Sequence, residues 1–180
     1  MQPLIVDDLC LRPFSAGDAE AFAQAANESV ASVGPWLPWC HAGYTPAEAL
    51  LWFALCERGL AEQTAYELGI FSASGELLGG IGLNQISRQN NLCNLGYWVR
   101  QSRQGRGIAP RAVRRLADFG FAELGLTRIE IVVAVGNAPS DAVARKAGAN
   151  FECVARNRLF IAGRPVDAAV HALTPPVSPP

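Results

Sequence analysis

The sequence predicts an α/β fold built on one mixed sheet, with about seven strands and about four helices. Three observations predict it. An apolar strand at 92–100 passes through a glycine-containing bend into an amphipathic helix at 109–124, and a β-branched run follows at 128–135. Two strands joined by a short turn, at 64–71 and 77–86, precede that unit, and a closing hairpin at 151–161 and 166–173 ends it. A strand–helix–strand crossover makes its two strands parallel, whereas hairpins make theirs antiparallel, so the sheet must be mixed.

In chain order, Leu9 to Phe14 alternates as a first strand, and Ser15-Ala-Gly-Asp18 starts an alanine-rich helix running to about Asn27. In the segment 34–41, Pro35 and Pro38 forbid regular helix, while Trp36 and Trp39 supply large apolar faces. Thr45-Pro46-Ala47-Glu48 fits a cap, a first-turn proline and a capping-box acid for a helix over 46–60. Gly75 provides the positive φ of the hairpin turn, and Asn90-Asn91 turns the chain into strand 92–100. In helix 109–124, Ala109, Ala112, Val113, Leu116, Ala117, Phe121 and Leu124 form one stripe, opposite Arg111, Arg114, Arg115, Asp118 and Glu123. Gly125 is its natural end. Arg128 to Val135 lacks alternation, as expected of a strand covered on both faces. A short helix over 139–147 ends at Gly148, and the proline-rich TPPVSPP at 174–180 is expected to be disordered, leaving one domain over 1–173.

A chain of 180 residues buries roughly 70% of its unfolded surface and can stand alone. Its formal net charge of −1 gives no global attraction to nucleic acid or to an anionic membrane. Cys10, Cys40, Cys56, Cys93 and Cys153 are odd in number and scattered, so they read as reduced thiols; without C-x-x-C spacing or a histidine cluster, no metal site is expected. No secretory leader or membrane-length apolar run is evident, and a cytoplasmic protein, monomeric or homodimeric, is expected.

The chemistry concentrates in Gln104-Gly105-Arg106-Gly107-Ile108-Ala109. Two glycines allow a sharp turn that exposes backbone N–H groups, and the helix N-terminus adds a positive dipole end. Between Arg100 and Arg115 there are six arginines and no acid, so a polyanion held here also meets a local positive field. Pro110 occupies the place of the third small residue of a dinucleotide-binding fingerprint, and no Gly-Lys-Ser/Thr ending marks a nucleotide P-loop. The residues alone still permit an ordinary turn. Single-stranded nucleic acid fits poorly, because no aromatic residues interleave with these arginines.

Gln104 to Ala109 resembles the Q/R-x-x-G-x-G/A loop of the GNAT superfamily of N-acetyltransferases. The order of GYWV before the loop, IEIVVAV after the helix and then NAPSDAVARKAGANF, together with LCLRPFSAGDAEAF and WLPW, is similar to the Rim-type (RimJ/RimL-like) branch that acetylates protein amino-termini. The resemblance covers nearly the whole chain to Leu173. It implies the acyl-CoA N-acyltransferase fold with a splayed central parallel pair, and acetyl-CoA as cofactor. Gln104, Gly105, Arg106, Gly107, Ile108 and Ala109 would hold the pyrophosphate, and the main chain of Tyr97, Trp98 and Val99 the pantetheine and reacting carbonyl. Asn137 would bind cofactor, and Ser140 would also supply a proton to the leaving thiolate. On the residues alone, Asn137 and Ser140 read first as helix capping, and Tyr97 and Trp98 as ordinary sheet packing; the resemblance reverses the order for Asn137 and Ser140.

The acceptor is expected to be an amine, most readily a protein or peptide α-amino group; a small-molecule amine, or a non-catalytic CoA-binding role, stays open. Trp36, Trp39 and His41 are the acceptor-side candidates, with a hydrophobic clamp as the plainer reading of the tryptophans. Many relatives carry a glutamate where this chain has Asn94; members acting on ribosomal proteins also place one on the strand after the short helix, where the nearest acid here is Glu152. An α-amine with pKa about 7.7–8.0 sits only ~1 unit above neutral solution, whereas a lysine at ~10.4 needs over 3 units, or ~4 kcal/mol, of help. A weak base therefore favours an α-amine. His171 reads as structural.

Overall fold

A computed structural model describes residues 1–175, so residues 176–180 of the expected tail lie outside the described residues. Its strands are β1 (Leu4–Val6), β2 (Leu9–Arg12), β3 (Tyr66–Ser72), β4 (Leu77–Ser87), β5 (Leu92–Val99), β6 (Arg128–Ala134), β7 (Asn150–Ile161) and β8 (Arg164–Leu173). The α-helices are α1 (Ala19–Glu28), α2 (Val30–Val33), α3 (Pro46–Ala61), α4 (Ile108–Ala122) and α5 (Ala138–Lys146). The strands form one mixed sheet in the order β1-β2-β3-β4-β5-β6-β8-β7. Two elements exceed expectation: β1, which pairs with β2 through a turn at Asp7 (φ 49°), and the single turn of α2.

The parallel pair at the centre is short. β5 and β6 pair only at Leu92–Arg128, Cys93–Ile129 and Asn94–Glu130. Beyond Asn94, β5 stays with β4 as far as Val99, while β6 follows β8 to Ala134. The facing edges of Leu95–Val99 and Ile131–Ala134 therefore diverge and leave main-chain groups without a strand partner. Such groups need another hydrogen-bonding partner.

Two apolar layers fix the splay. On one face, α4 packs Ile108, Ala112, Val113 and Leu116 against Leu68, Ile81, Leu83, Leu95 and Ile131. On the other, α1 and α3 pack Phe22 and Phe53 against Phe71, Leu77 and Trp98. The capping box of α3 forms as expected: Thr45 Oγ1 accepts from Glu48 N at 3.3 Å, and the Glu48 carboxylate accepts from Thr45 N at 2.8 Å. β6 departs from expectation. Ile129, Ile131 and Val133 are buried, but Arg128, Glu130 and Val132 alternate with them and are only half-buried, because the second face of this strand borders a cleft.

The basic run is less free than its composition implies. Arg103 donates to Glu76 at 2.9 and 3.0 Å, and Arg111 pairs with Asp7 and Asp8. Arg100 donates to Glu28 at 2.5 Å, and the same carboxylate accepts from Ser102 N at 2.6 Å, tying the turn before the glycine loop to α1. The Arg100 guanidinium, helped by Ser102, holds the Glu28 carboxyl down at about 2. A depressed carboxyl stabilises the fold above its unfolded value and loses that contribution as pH falls through the folded value. The Glu28 side chain is partly exposed, so the contribution is discounted to about 1 kcal/mol, or roughly 2–4 °C in Tm. Glu28→Gln is thus expected to lower the melting temperature at pH 7 and to lose this effect between about pH 4.5 and 2, as thermal melts across that range will show.

Candidate active site

A cleft of about 860 Å³ runs along the splay, from the glycine loop past Tyr97 and Val132 to Asn137, Ser140 and the overhanging hairpin residues Arg158 to Ile161. At one end Gly105 (φ 75°) and Gly107 (φ 71°) adopt the left-handed conformation, and Gly107 caps α4. An added Cβ at either would meet nothing within 4 Å, so backbone conformation and not space selects glycine here. Among the described residues, the N–H groups of Gly105 to Ala109 donate to no backbone acceptor. Pro110, in the first turn, lacks only a donor that the helix would not use. Main-chain donors without backbone partners thus gather at a helix N-terminus, the arrangement that suits an anion.

Gln104 has a different task from the one its place in the loop suggests. Its amide donates to Val99 O at 2.9 Å and to Ser32 Oγ at 3.1 Å, bracing the bend against the end of β5. Arg103 lines the cleft but is held by Glu76. Arg106 is exposed, and among the described residues it makes no ion pair, which leaves it the freest cation of the loop.

At mid-cleft, α5 is capped by Asn137, whose Oδ1 accepts from Ser140 N at 3.2 Å. The cap aims Ser140 at β5: the Tyr97 hydroxyl lies 2.9 Å from Ser140 O, to which it donates, and 3.0 Å from Ser140 Oγ. Burial pushes the Tyr97 phenol up to about 12, so it stays protonated at neutral pH. Behind Ser140, buried His171 Nε2 lies 2.8 Å from Asp141 Oδ1. Asp141→Ala leaves that ring without a partner on either nitrogen, since Nδ1 already has none among the described residues. A loss of about 1–3 kcal/mol in denaturant unfolding is expected.

On the α1–α3 side, the cleft adjoins an aromatic pocket of about 310 Å³ walled by Phe22, Trp39, Tyr44, Trp98 and one carboxylate, Glu67. Trp39 packs edge-on against Trp98 with centroids 5.3 Å apart, while Trp36 lines the main cleft. His41 does neither. It is exposed and 3.0 Å from Glu48 Oε1, beside the start of α3. Glu152 also lies outside both cavities. The ladder shifts register between Phe151 and Cys153, and Glu152 takes two hydrogen bonds from Arg128, at 2.8 and 2.5 Å, which hold its carboxyl below the usual range. The carboxylate is thus exposed, already paired with Arg128, and among neither set of lining residues.

Glu67 was not legible as a site residue. Its one signal is position: it is the sole acid between Glu62 and Glu76, set between Tyr66 and Leu68 in an apolar strand. Desolvation raises its carboxyl, against the opposing hydrogen bond from Asn84 Nδ2 to Oε1 at 2.9 Å. Asn84 Oδ1 in turn accepts from Asn94 Nδ2 at 2.9 Å, so the asparagine that replaces the expected glutamate is one end of a polar chain.

The Acetyltransferase (GNAT) domain family matches residues 8–150. The chain belongs to this family. It is 30% identical over 172 residues to the Bacillus subtilis protein named "Putative ribosomal N-acetyltransferase YdaF", covering 93% of this chain and 91% of that one. To the Escherichia coli ribosomal-protein-serine acetyltransferase it is 34% identical over 87 residues, 48% of each chain. Mycobacterium smegmatis RimJ, solved with a CoA-disulfide, superposes with a TM-score of 0.85 at 26% identity, over 96% of this chain and 86% of that one. This GNAT enzyme is therefore an acetyl-CoA-dependent N-acetyltransferase, and ribosomal-protein acetyltransferases and a RimJ are among the proteins it resembles. The unclaimed amides of 105–109 and the unpaired edges of the splay fit a diphosphate joined to an amide-bearing pantetheine arm. The thioester supplies an activated acyl carbon and a thiolate leaving group. Among the described residues no helix is long and apolar enough to cross a membrane, and no group of three or more His, Cys, Asp or Glu side chains forms a metal site. Cys40, Cys56 and Cys93 are buried free thiols, while Cys153 is exposed.

Proposed function

We propose that this GNAT enzyme acetylates the α-amino terminus of a protein or peptide. The observation that carries this reading is the charge of the two cavities: among the described residues, their lining holds one acid, Glu67, in an aromatic pocket, with Arg103, Lys146 and Arg158 along the cleft. A polycationic acceptor needs several carboxylates, one for each ammonium group it brings into the site. One carboxylate beside apolar walls suits a single amine followed by an extended, largely uncharged chain. The names of the ribosomal-protein acetyltransferase relatives support the same class.

In this reading the loop amides of Gly105 to Ala109, with Arg106, hold the diphosphate, and Gln104 keeps the loop in shape. The main chain of Tyr97, Trp98 and Val99 and the side chain of Asn137 bind the pantetheine arm. Trp36 and Trp39 flank the incoming acceptor. The amine attacks the thioester carbonyl directly; the C–N bond forms and the C–S bond breaks. The Ser140 hydroxyl, oriented by Asn137 and by Tyr97, hydrogen-bonds the departing thiolate and relays to it a proton that the nitrogen sheds.

The test is mass spectrometry of peptides with free and blocked amino-termini, alongside small amines, after incubation with acetyl-CoA. A gain of about 42 Da, one acetyl group replacing a hydrogen, is expected on the free α-amine. Gain only on lysine side chains or only on small amines contradicts the proposal.

A further inference from the structure

Glu67, Gly82 and Gly96 stand in one row across β3, β4 and β5, since Glu67 is paired with Gly82 and Gly82 with Gly96. A Cβ at Gly82 would lie 1.9 Å from Glu67 Oε2, so the missing side chain is what lets the carboxylate lie flat over β4 toward β5. A Cβ at Gly96 would meet nothing within 4 Å, and Gly96 borders both the aromatic pocket and the main cleft. The two glycines therefore form a trough from the Glu67 carboxylate to the mouth of the splay, two residues beyond Asn94. With neighbouring strands about 4.8 Å apart, one strand spacing separates the carboxylate above β4 from the open space at Gly96.

We propose that Glu67 takes the proton of the acceptor ammonium, with the amine seated in the trough over Gly82 and Gly96. This rests on the reading that the acceptor enters beside Trp39. Asn84 fixes Oε1, and its own carbonyl is fixed by Asn94, so Oε2 over Gly82 is the oxygen left for the amine. Among the described residues no cation pairs with Glu67, and a buried carboxylate without a partner favours an incoming ammonium ion. The other titratable groups around it are Tyr44 and Tyr97 on the pocket walls and Cys56 on α3, all held near 12. The flanking α1 and β2 regions contribute Phe22 and Phe14, which do not titrate. Glu67 is thus the carboxylate of this wall, and burial moves it upward against the hydrogen bond from Asn84, the direction that suits a general base.

The step balances. The ammonium gives one proton to the Glu67 carboxylate, and its freed lone pair forms the C–N bond as the C–S bond breaks. The second nitrogen proton reaches the thiolate sulfur through the Ser140 hydroxyl, and Glu67 returns its proton to solvent. The products are one amide, one thiol and one proton.

The experiment is kcat/KM against pH from 5.5 to 9.5 for the wild type and Glu67→Gln, with Ser-Ala-Ala-amide as acceptor, or benzylamine if the peptide is not turned over. CoA affinity by calorimetry reports whether the variant is folded. The glutamine variant is expected to fall about 10²-fold at pH 6–7, with the deficit shrinking above the pKa of the amine, where the acceptor arrives neutral. Gly96→Ala should raise KM for the acceptor by a larger factor than it weakens CoA binding. A uniform deficit at every pH, or Glu67→Gln within threefold of wild type throughout, overturns the proposal. Turnover of benzylamine but not of the peptide overturns the α-amine reading instead and leaves the Glu67 test intact. Absence of wild-type turnover with both sinks the two together.

Discussion

Ser140→Ala is expected to lower kcat about 10²-fold while CoA affinity stays within about threefold of wild type. The reason lies in what the hydroxyl touches. Ser140 Oγ stands 3.0 Å from the Tyr97 hydroxyl at mid-cleft, whereas the loop amides lie at the far end of the same cleft. A group that meets the sulfur only as charge develops there contributes to the barrier and little to ground-state binding. Positioned proton donors are worth roughly 10²–10⁴-fold. Tyr97→Phe is the companion variant. It removes the 2.9 Å bond to Ser140 O as well as the contact to Oγ, so its loss should be similar and the double variant less than additive. Single-turnover kinetics with each variant and with both give the coupling, and full additivity would separate the two hydroxyls into independent roles.

Gly107→Val is expected to weaken CoA binding by about 10²-fold. At φ 71° a non-glycine residue costs roughly 1–2 kcal/mol, more when β-branched, and relaxing that strain reorients the free N–H groups of the bend. Each charge-assisted bond from an amide to a phosphate oxygen that is lost costs about 1.5–3 kcal/mol, so one or two lost bonds account for the factor. Gly75 supplies the control. It also has positive φ (85°) but sits in the β3–β4 turn outside the cleft. Gly75→Val should destabilise the fold comparably and leave the dissociation constant for CoA, measured by calorimetry, unchanged.

The elements that were legible in the sequence are those specified locally. The stripe of α4, the capping box at Thr45 and Glu48, the Asn137 cap and the left-handed glycines all depend on neighbours within a turn or two, and each stands where spacing placed it. What escaped depends on pairing across the sheet. Glu67 acquires meaning only because two glycines, 15 and then 14 residues further on, fall opposite it in register. Glu152 stands outside the cleft lining, where a register shift at Phe151 leaves it beside Arg128, 24 residues earlier in the chain. The arginines of 100–111 looked like one anion-binding field, yet Glu28, Glu76, Asp7 and Asp8 come from distant segments to neutralise three of them. His41 lies close in sequence to Trp39 but on the far side of a turn, beside Glu48.

The central claim is that the main-chain amides after Gln104 grip the diphosphate of CoA, and amide NMR during a CoA titration addresses it at single-residue resolution. The amide signals of Gly105, Arg106, Gly107, Ile108 and Ala109 are expected to move together and saturate with the binding isotherm, by more than those of the β3–β4 turn. CoA binding with those five signals unmoved would contradict it.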